Sequence, residues 1–105
     1  MTDPHISGKY SELMATAAFI ADGRQVALPY GNQKDWDLLV QETGREWLRV
    51  QVKTAALISQ GGAAVVNMHR TYSVDDVDLL VAVYPPTGTM WKIPIGEPVV
   101  AACTA

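Results

Sequence analysis

Apolar and polar positions alternate along the chain with two distinct periods. Over residues 8–22, Tyr10, Leu13, Met14, Ala17, Ala18 and Ala21 recur at the 3–4 residue spacing of a helix, and this stripe marks its apolar face. Gly23 stands where a helix-ending glycine belongs. Residues 24–28 then read as a short strand stopped by Pro29, and residues 30–34 as a loop. Residues 37–41 and 47–53 show the two-residue period of half-buried strands, joined by a short loop at Thr43-Gly44-Arg45. Further strands are expected at 63–68, 79–84 and 89–95. The run 79–84 is continuously apolar, as a central strand is, and Pro85-Pro86-Thr87-Gly88 forms the turn that follows it. Between them, Ser73 is placed to cap a short helical turn through Asp75 and Asp76. The order implies an α/β fold, a mixed central sheet with the N-terminal helix packed on one face.

The register of the hairpin follows from the same pattern. Pairing Leu38 with Val50 and Val40 with Leu48 puts Val52 on their face and makes that face the core side. A slip by one residue would mix apolar and polar residues on both faces. The chosen register sets Asp37 opposite Gln51, and Lys53 shares their outer face.

Composition narrows the class. The sequence has 105 residues, 49% of them hydrophobic, which suits one folded domain (1–105) with ends at 1–7 and 97–105 that are loose or make subunit contacts. The single cysteine, Cys103, excludes an internal disulfide framework and fits a cytoplasmic location. No apolar run is long enough to cross a membrane, and the first residues lack a signal-peptide core. A formal net charge of −3 argues against binding nucleic acid by bulk attraction, though not against a local basic patch.

The outer hairpin face carries the candidate chemistry. Asp37, the Gln51 carbonyl and the Lys53 amine can hold a hard divalent cation and act on a water or a phosphate. Glu12, on the flank of the helical stripe, is a plausible second acid. The same three hairpin residues also suit a solvated sheet face. Asp75, Asp76 and Asp78 read as acids at a helix start rather than a second metal site. His5 and His69 lack ligand spacing. Lys9, Lys34, Arg45, Arg49, Arg70 and Lys92 are candidate phosphate contacts, with Lys9 and Lys34 foremost because the helix start and the site loop flank the acids. The glycines of Ser59-Gln60-Gly61-Gly62 permit close approach to a backbone, or a plain connection.

Taken together, Ser11-Glu12, Gly23-x-x-Val26-x-x-Pro29, Asp35-Trp36-Asp37-Leu38 and Arg49-Val50-Gln51-Val52-Lys53-Thr54 resemble the PD-(D/E)XK nuclease superfamily. The branch most similar is that of group I intron homing endonucleases, in which Gln replaces the acid before x-Lys. Tyr72-Ser73-x-x-Asp76-Val77-Asp78 before an apolar strand is similar to that branch too, and the resemblance spans roughly residues 8–95. It implies a restriction-endonuclease-like core and a DNA endonuclease that hydrolyses phosphodiesters by attack of a Mg²⁺-held water, with Mn²⁺ as a substitute. By position it implies Glu12, Asp37 and Gln51 as metal ligands and Lys53 as the catalytic lysine. Cutting both strands needs two active sites, so a homo-oligomer, dimer or tetramer, is expected, and Ile93 to Val100 is apolar enough for a subunit contact; a phage or intron origin fits the resemblance, and the residues leave a cellular chromosome equally open. Trp36 stands where the family has proline. Two other readings fit the same fold: a Holliday-junction resolvase-like nuclease, and a catalytically silent module for DNA binding or assembly.

Overall fold

The computed structural model describes residues 4–31, 36–41, 44, 46–57, 64–66 and 75–95. Helix α1 spans Pro4–Ala21, beginning on a proline whose missing N–H costs nothing in a first turn. It ends as the sequence predicts. Gly23 adopts a positive φ of 84°. Its N–H donates to the Ile20 carbonyl at 2.9 Å, and the Arg24 N–H donates to the Phe19 carbonyl at 3.0 Å. That pair of bonds closes the last turn of the helix.

Six strands follow among the described residues: β1 (Val26–Ala27), β2 (Leu38–Gln41), β3 (Trp47–Leu57), β4 (Ala64–Val66), β5 (Leu79–Tyr84) and β6 (Thr89–Pro94). The sheet runs β1-β2-β3-β5-β6, and β4 pairs with the far end of β3. β3 and β5 are parallel, and the other pairs are antiparallel. The expected mixed sheet is therefore present, with β5 inside it. The hairpin register is the one the pattern selects, Leu38 against Val50 and Val40 against Leu48. The turn after β5 is held by the Gly88 N–H on the Tyr84 carbonyl at 2.9 Å. Asp75 and Asp76 lie in a turn; Ser73, the proposed cap, is outside the described residues.

One sheet face packs Leu38, Val40, Val50, Val52, Leu79, Val81 and Val83 against Ala15 and Phe19 of α1. The other face carries Ala55, Ala82 and Trp91, with Tyr84 against them. β5 is thus covered on both sides, which accounts for its unbroken apolar run. Ile93 is also buried, so it belongs to this core and offers no subunit contact; residues 96–105 lie outside the described set.

The helix corrects one expectation. Its sheet-facing line is Ser11, Ala15 and Phe19, with Met14 packed at the side. Tyr10, Leu13, Ala17 and Ala21 of the expected apolar face are exposed. Apolar residues occupy both sides of α1, so spacing alone could not say which side meets the sheet. Small side chains decide it: Ser11 and Ala15 let the helix approach closely, and Phe19 fills the space beyond them. The buried Ser11 hydroxyl is satisfied by Thr54 of β3, Oγ to Oγ1, at 2.6 Å.

Candidate active site

The first turn of site architecture is where β2 stops pairing with β3. The ladder is regular from Gln41 to Leu38. One residue earlier, the Asp37 N–H donates to the Val50 carbonyl at 2.8 Å. The Asp37 side chain then replaces the missing strand: its Oδ2 accepts the Val52 N–H at 2.8 Å. A carboxylate bonded to a ladder N–H lies in the plane of the sheet. Asp37 is therefore not on the outer face with Gln51 and Lys53, as strict alternation would have it, but at the seam between the two faces. Among the described residues, Oδ1 has no hydrogen-bond partner.

A cleft of about 270 Å³ opens on the α1 side of this seam. Helix α1 contributes Lys9, Glu12, Leu13 and Thr16; the segment after β1 contributes Leu28, Pro29 and Gly31; Trp36, Asp37 and Leu38 complete the lining. Glu12 and Asp37, far apart in sequence, thus share one cavity. Thr16 anchors its Oγ1 on the Glu12 carbonyl at 2.8 Å, and Lys9 Nζ lies 3.2 Å from Glu12 Oε1. Lys9 is the more exposed of that pair, 69% against 27% for Glu12.

Gln51 and Lys53 project from β3 on the side away from α1, flanking buried Val52, and both are half-buried. They do not line the cleft, yet the Lys53 charge reaches Asp37. Burial pushes the Asp37 carboxyl above its ordinary value, and the negative charge of Glu12 adds to the rise. The Val52 N–H, Lys53 and Lys9 pull the other way. Asp37 is the point on which the α1 and β3 groups converge.

Two carboxylates that repel each other across a cleft, one with an unbonded oxygen, suit a hard divalent cation. Among the described residues no three His, Cys, Asp or Glu side chains come together. The two acids still fit a magnesium-like ion, which keeps several waters and leans on substrate oxygens.

Several sequence candidates are engaged elsewhere. Arg49 forms a fork on Asp78, Nε to Oδ2 and Nη2 to Oδ1, both at 3.1 Å, and the Arg49 N–H donates to Asp78 Oδ2 at 2.8 Å. Asp78 is held below the usual carboxylate range by that arginine. This acid fastens β3 to the start of β5, and Arg49 serves the fold. Lys92 Nζ sits 5.3 Å from the centre of the Phe19 ring. Lys34, Arg45, Arg70, His69, the 59–62 loop and Cys103 lie outside the described residues. Sequence reasoning missed the cleft walls, Thr16, Leu28 and Gly31, because no chemical signature marks a wall.

Comparison with known proteins decides the family. The profile of a family described as PD-(D/E)XK endonuclease matches residues 2–102. The chain belongs to the PD-(D/E)XK endonuclease family. No curated protein matches it in sequence. Among solved structures it is similar to a bacterial homing endonuclease, I-Ssp6803I, with a TM-score of 0.75 and 25% identity over 90% of this chain and 67% of that one. PD-(D/E)XK nucleases generally use divalent metal ions, the ligand class the Glu12–Asp37 pair suits. The restriction-endonuclease-like fold expected from the sequence is the one observed. Among the described residues, no helix is long and apolar enough to cross a membrane.

Proposed function

We propose that this PD-(D/E)XK protein is a DNA endonuclease that hydrolyses phosphodiester bonds with Mg²⁺, in the manner of a homing endonuclease. The observation that carries the reading is the meeting of Glu12 and Asp37 in one cleft, with the charge of Lys53 acting on Asp37. Glu12 and Asp37 would hold the cation, and the Gln51 carbonyl would complete the set from the β3 side or orient the attacking water. Bound there, a divalent cation supplies Lewis acidity toward water and phosphate oxygens.

The chain's own groups then divide the work. Asp37 Oδ2 stays on the Val52 N–H, which fixes the carboxylate and leaves Oδ1 to face the reacting atoms. Lys53 stabilises negative charge that grows on the phosphate as the water attacks, or assists that water. Lys9, exposed at the cleft mouth, neutralises a backbone phosphate at the cost of its contact with Glu12. Lys34, outside the described residues, is proposed as a further DNA contact on the strength of the sequence alone. Similarity to a bacterial homing endonuclease favours linear duplex DNA over a four-way junction.

The test is cleavage of supercoiled plasmid with Mg²⁺ and with EDTA, alongside linear duplex and a synthetic four-way junction. Nicking or linearisation that requires metal supports the nuclease. Cutting confined to the junction moves the assignment to a resolvase. Folded protein that binds DNA and cuts none of the substrates is the silent module.

A further inference from the structure

The β1–β2 register runs toward the site. Val26 pairs with Val40 and Ala27 with Leu39. Carried on by the same rule, it sets Leu28 beside Leu38, Pro29 beside Asp37 and Tyr30 beside Trp36. Pro29 has no N–H to give a ladder, and the pairing ends before it. Leu28, Pro29 and Gly31 instead become a wall of the cleft that holds Glu12 and Asp37. Gly31 turns the chain at a φ of 85°. Between Pro29 and Gly31, Tyr30 is 102% exposed, and Leu28 is 65% exposed. Tyr30 therefore buries no surface in its own fold. On this register it stands one to two strand spacings, about 5–10 Å, from Asp37.

The cleft joins three kinds of surface. Glu12 and Asp37 suit a cation, Lys9 suits a phosphate, and Leu28, Pro29 and Trp36 offer apolar faces. A nucleotide matches all three only if its base is reachable. In stacked duplex DNA the flat faces of the bases are hidden, and the backbone shows only phosphate and sugar. At about 270 Å³ the cleft is also too small to admit a duplex. Apolar side chains pushed into a base step unstack it and kink the helix.

We infer that Leu28 and Tyr30 form a wedge that unstacks DNA at the step being cut, so that the preferred substrate is a step that opens easily, such as a mismatch or a pyrimidine–purine step. The inference rests on the nuclease reading for the position of the cut. Tyr30 is suited to receive the freed base, because an aromatic ring stacks on any base and has little side-chain freedom to lose. Leu28, one residue before Pro29, supplies the apolar contact nearer the acids.

The experiment uses the full chain and two duplexes, one fully paired and one with a single central mismatch. Gel-shift binding in EDTA compares wild type, Tyr30→Ala and Tyr30→Trp. Wild type is expected to bind the mismatched duplex about tenfold more tightly, Tyr30→Ala to bind both alike, and Tyr30→Trp to keep the preference. All three should share one circular dichroism spectrum and thermal midpoint, since Tyr30 supports no part of the core. With Mg²⁺, wild-type cuts are expected at the step beside the mismatch, and Tyr30→Ala should lose that bias. Equal retention of the two duplexes by wild type overturns the wedge, as does a preference that Tyr30→Ala keeps. A mismatch preference that depends on Tyr30, in a protein that cuts neither duplex, upholds the wedge and removes the nuclease reading. Metal-dependent cutting with no preference for the mismatch does the reverse.

Discussion

The Ser11 hydroxyl lies 2.6 Å from that of Thr54, and each residue is the chain neighbour of a proposed site residue, Glu12 on one side and Lys53 on the other. This part-buried pair is a polar link between α1 and β3, so it fixes the height of Glu12 along the strand that carries Lys53. Thr54→Val leaves the Ser11 hydroxyl buried without a partner, at an expected cost of about 1–3 kcal/mol. Ser11→Ala combined with Thr54→Val removes both polar groups and is expected to recover most of that loss. Chemical denaturation of the two single variants and the double variant measures it. Additive losses in the double variant would show that the hydroxyls do not act on each other.

Asp37 pays for its position. It is partly buried and faces Glu12, and both raise its carboxyl above the ordinary value. Both costs fall on its ionised form. Asp37→Asn keeps an oxygen for the Val52 N–H and removes the charge, so it is expected to raise the thermal midpoint by a few degrees. The same substitution is expected to abolish cleavage and to erase the upward shift that Mg²⁺ gives the wild type. Differential scanning fluorimetry with and without Mg²⁺ reads both effects. A variant that keeps the Mg²⁺ shift would remove Asp37 from the ligand set.

The hairpin register, the helix end at Gly23 and the extent of β5 were legible because each rests on a local rule with one acceptable solution. A one-residue slip would take Leu38 and Val40 off the face of Leu48, Val50 and Val52, and the observed pairing of β2 with β3 keeps the five together. The sheet-facing side of α1 was not legible, since Leu13 and Ile20 are as apolar as Phe19 and the choice between them depends on how closely the helix can approach β3. The four candidate site residues come from the family pattern, and the structure brings two of them, Glu12 and Asp37, into one cleft. The in-plane seat of Asp37 was not legible, because it depends on where the ladder breaks: alternation would have carried it to the outer face, and the Val52 N–H draws it between the two.

The Arg49–Asp78 fork makes stability depend on acid. Asp78 is held below its unfolded value mainly by the Arg49 side chain, and the Arg49 N–H adds to this. A carboxyl with a lowered folded value contributes stability above its unfolded pKa, about 3.9, and loses it as pH falls through the folded one. Both side chains are 32% exposed, so solvent screens the pair and the effect is modest. Asp78→Asn is expected to lower the thermal midpoint by a few degrees at neutral pH, with the gap to wild type closing below about pH 4. Equal gaps at pH 7 and pH 3 would mean that the backbone contact, not the charge, is what the substitution removes.

Gln51 is the residue on which the metal reading can be pushed hardest. It stands at the family's variable acid position, flanks Val52 with Lys53, and is neutral. Two acids bind a magnesium-like ion weakly, because such an ion then depends on water and substrate for its remaining ligands. Gln51→Glu changes one atom and adds a third carboxylate of nearly the same shape. If Gln51 faces the ion, the added charge tightens binding, and the Mg²⁺ concentration for half-maximal thermal shift is expected to fall about tenfold, an effect of about 1.4 kcal/mol. Without metal, the extra repulsion near Asp37 should lower the midpoint, so the two effects have opposite signs in one protein. Gln51→Ala is the control, with little change expected in the metal-free midpoint. A Gln51→Glu variant with unaltered Mg²⁺ dependence would place Gln51 outside the ligand set and leave Glu12 and Asp37 to hold the ion alone.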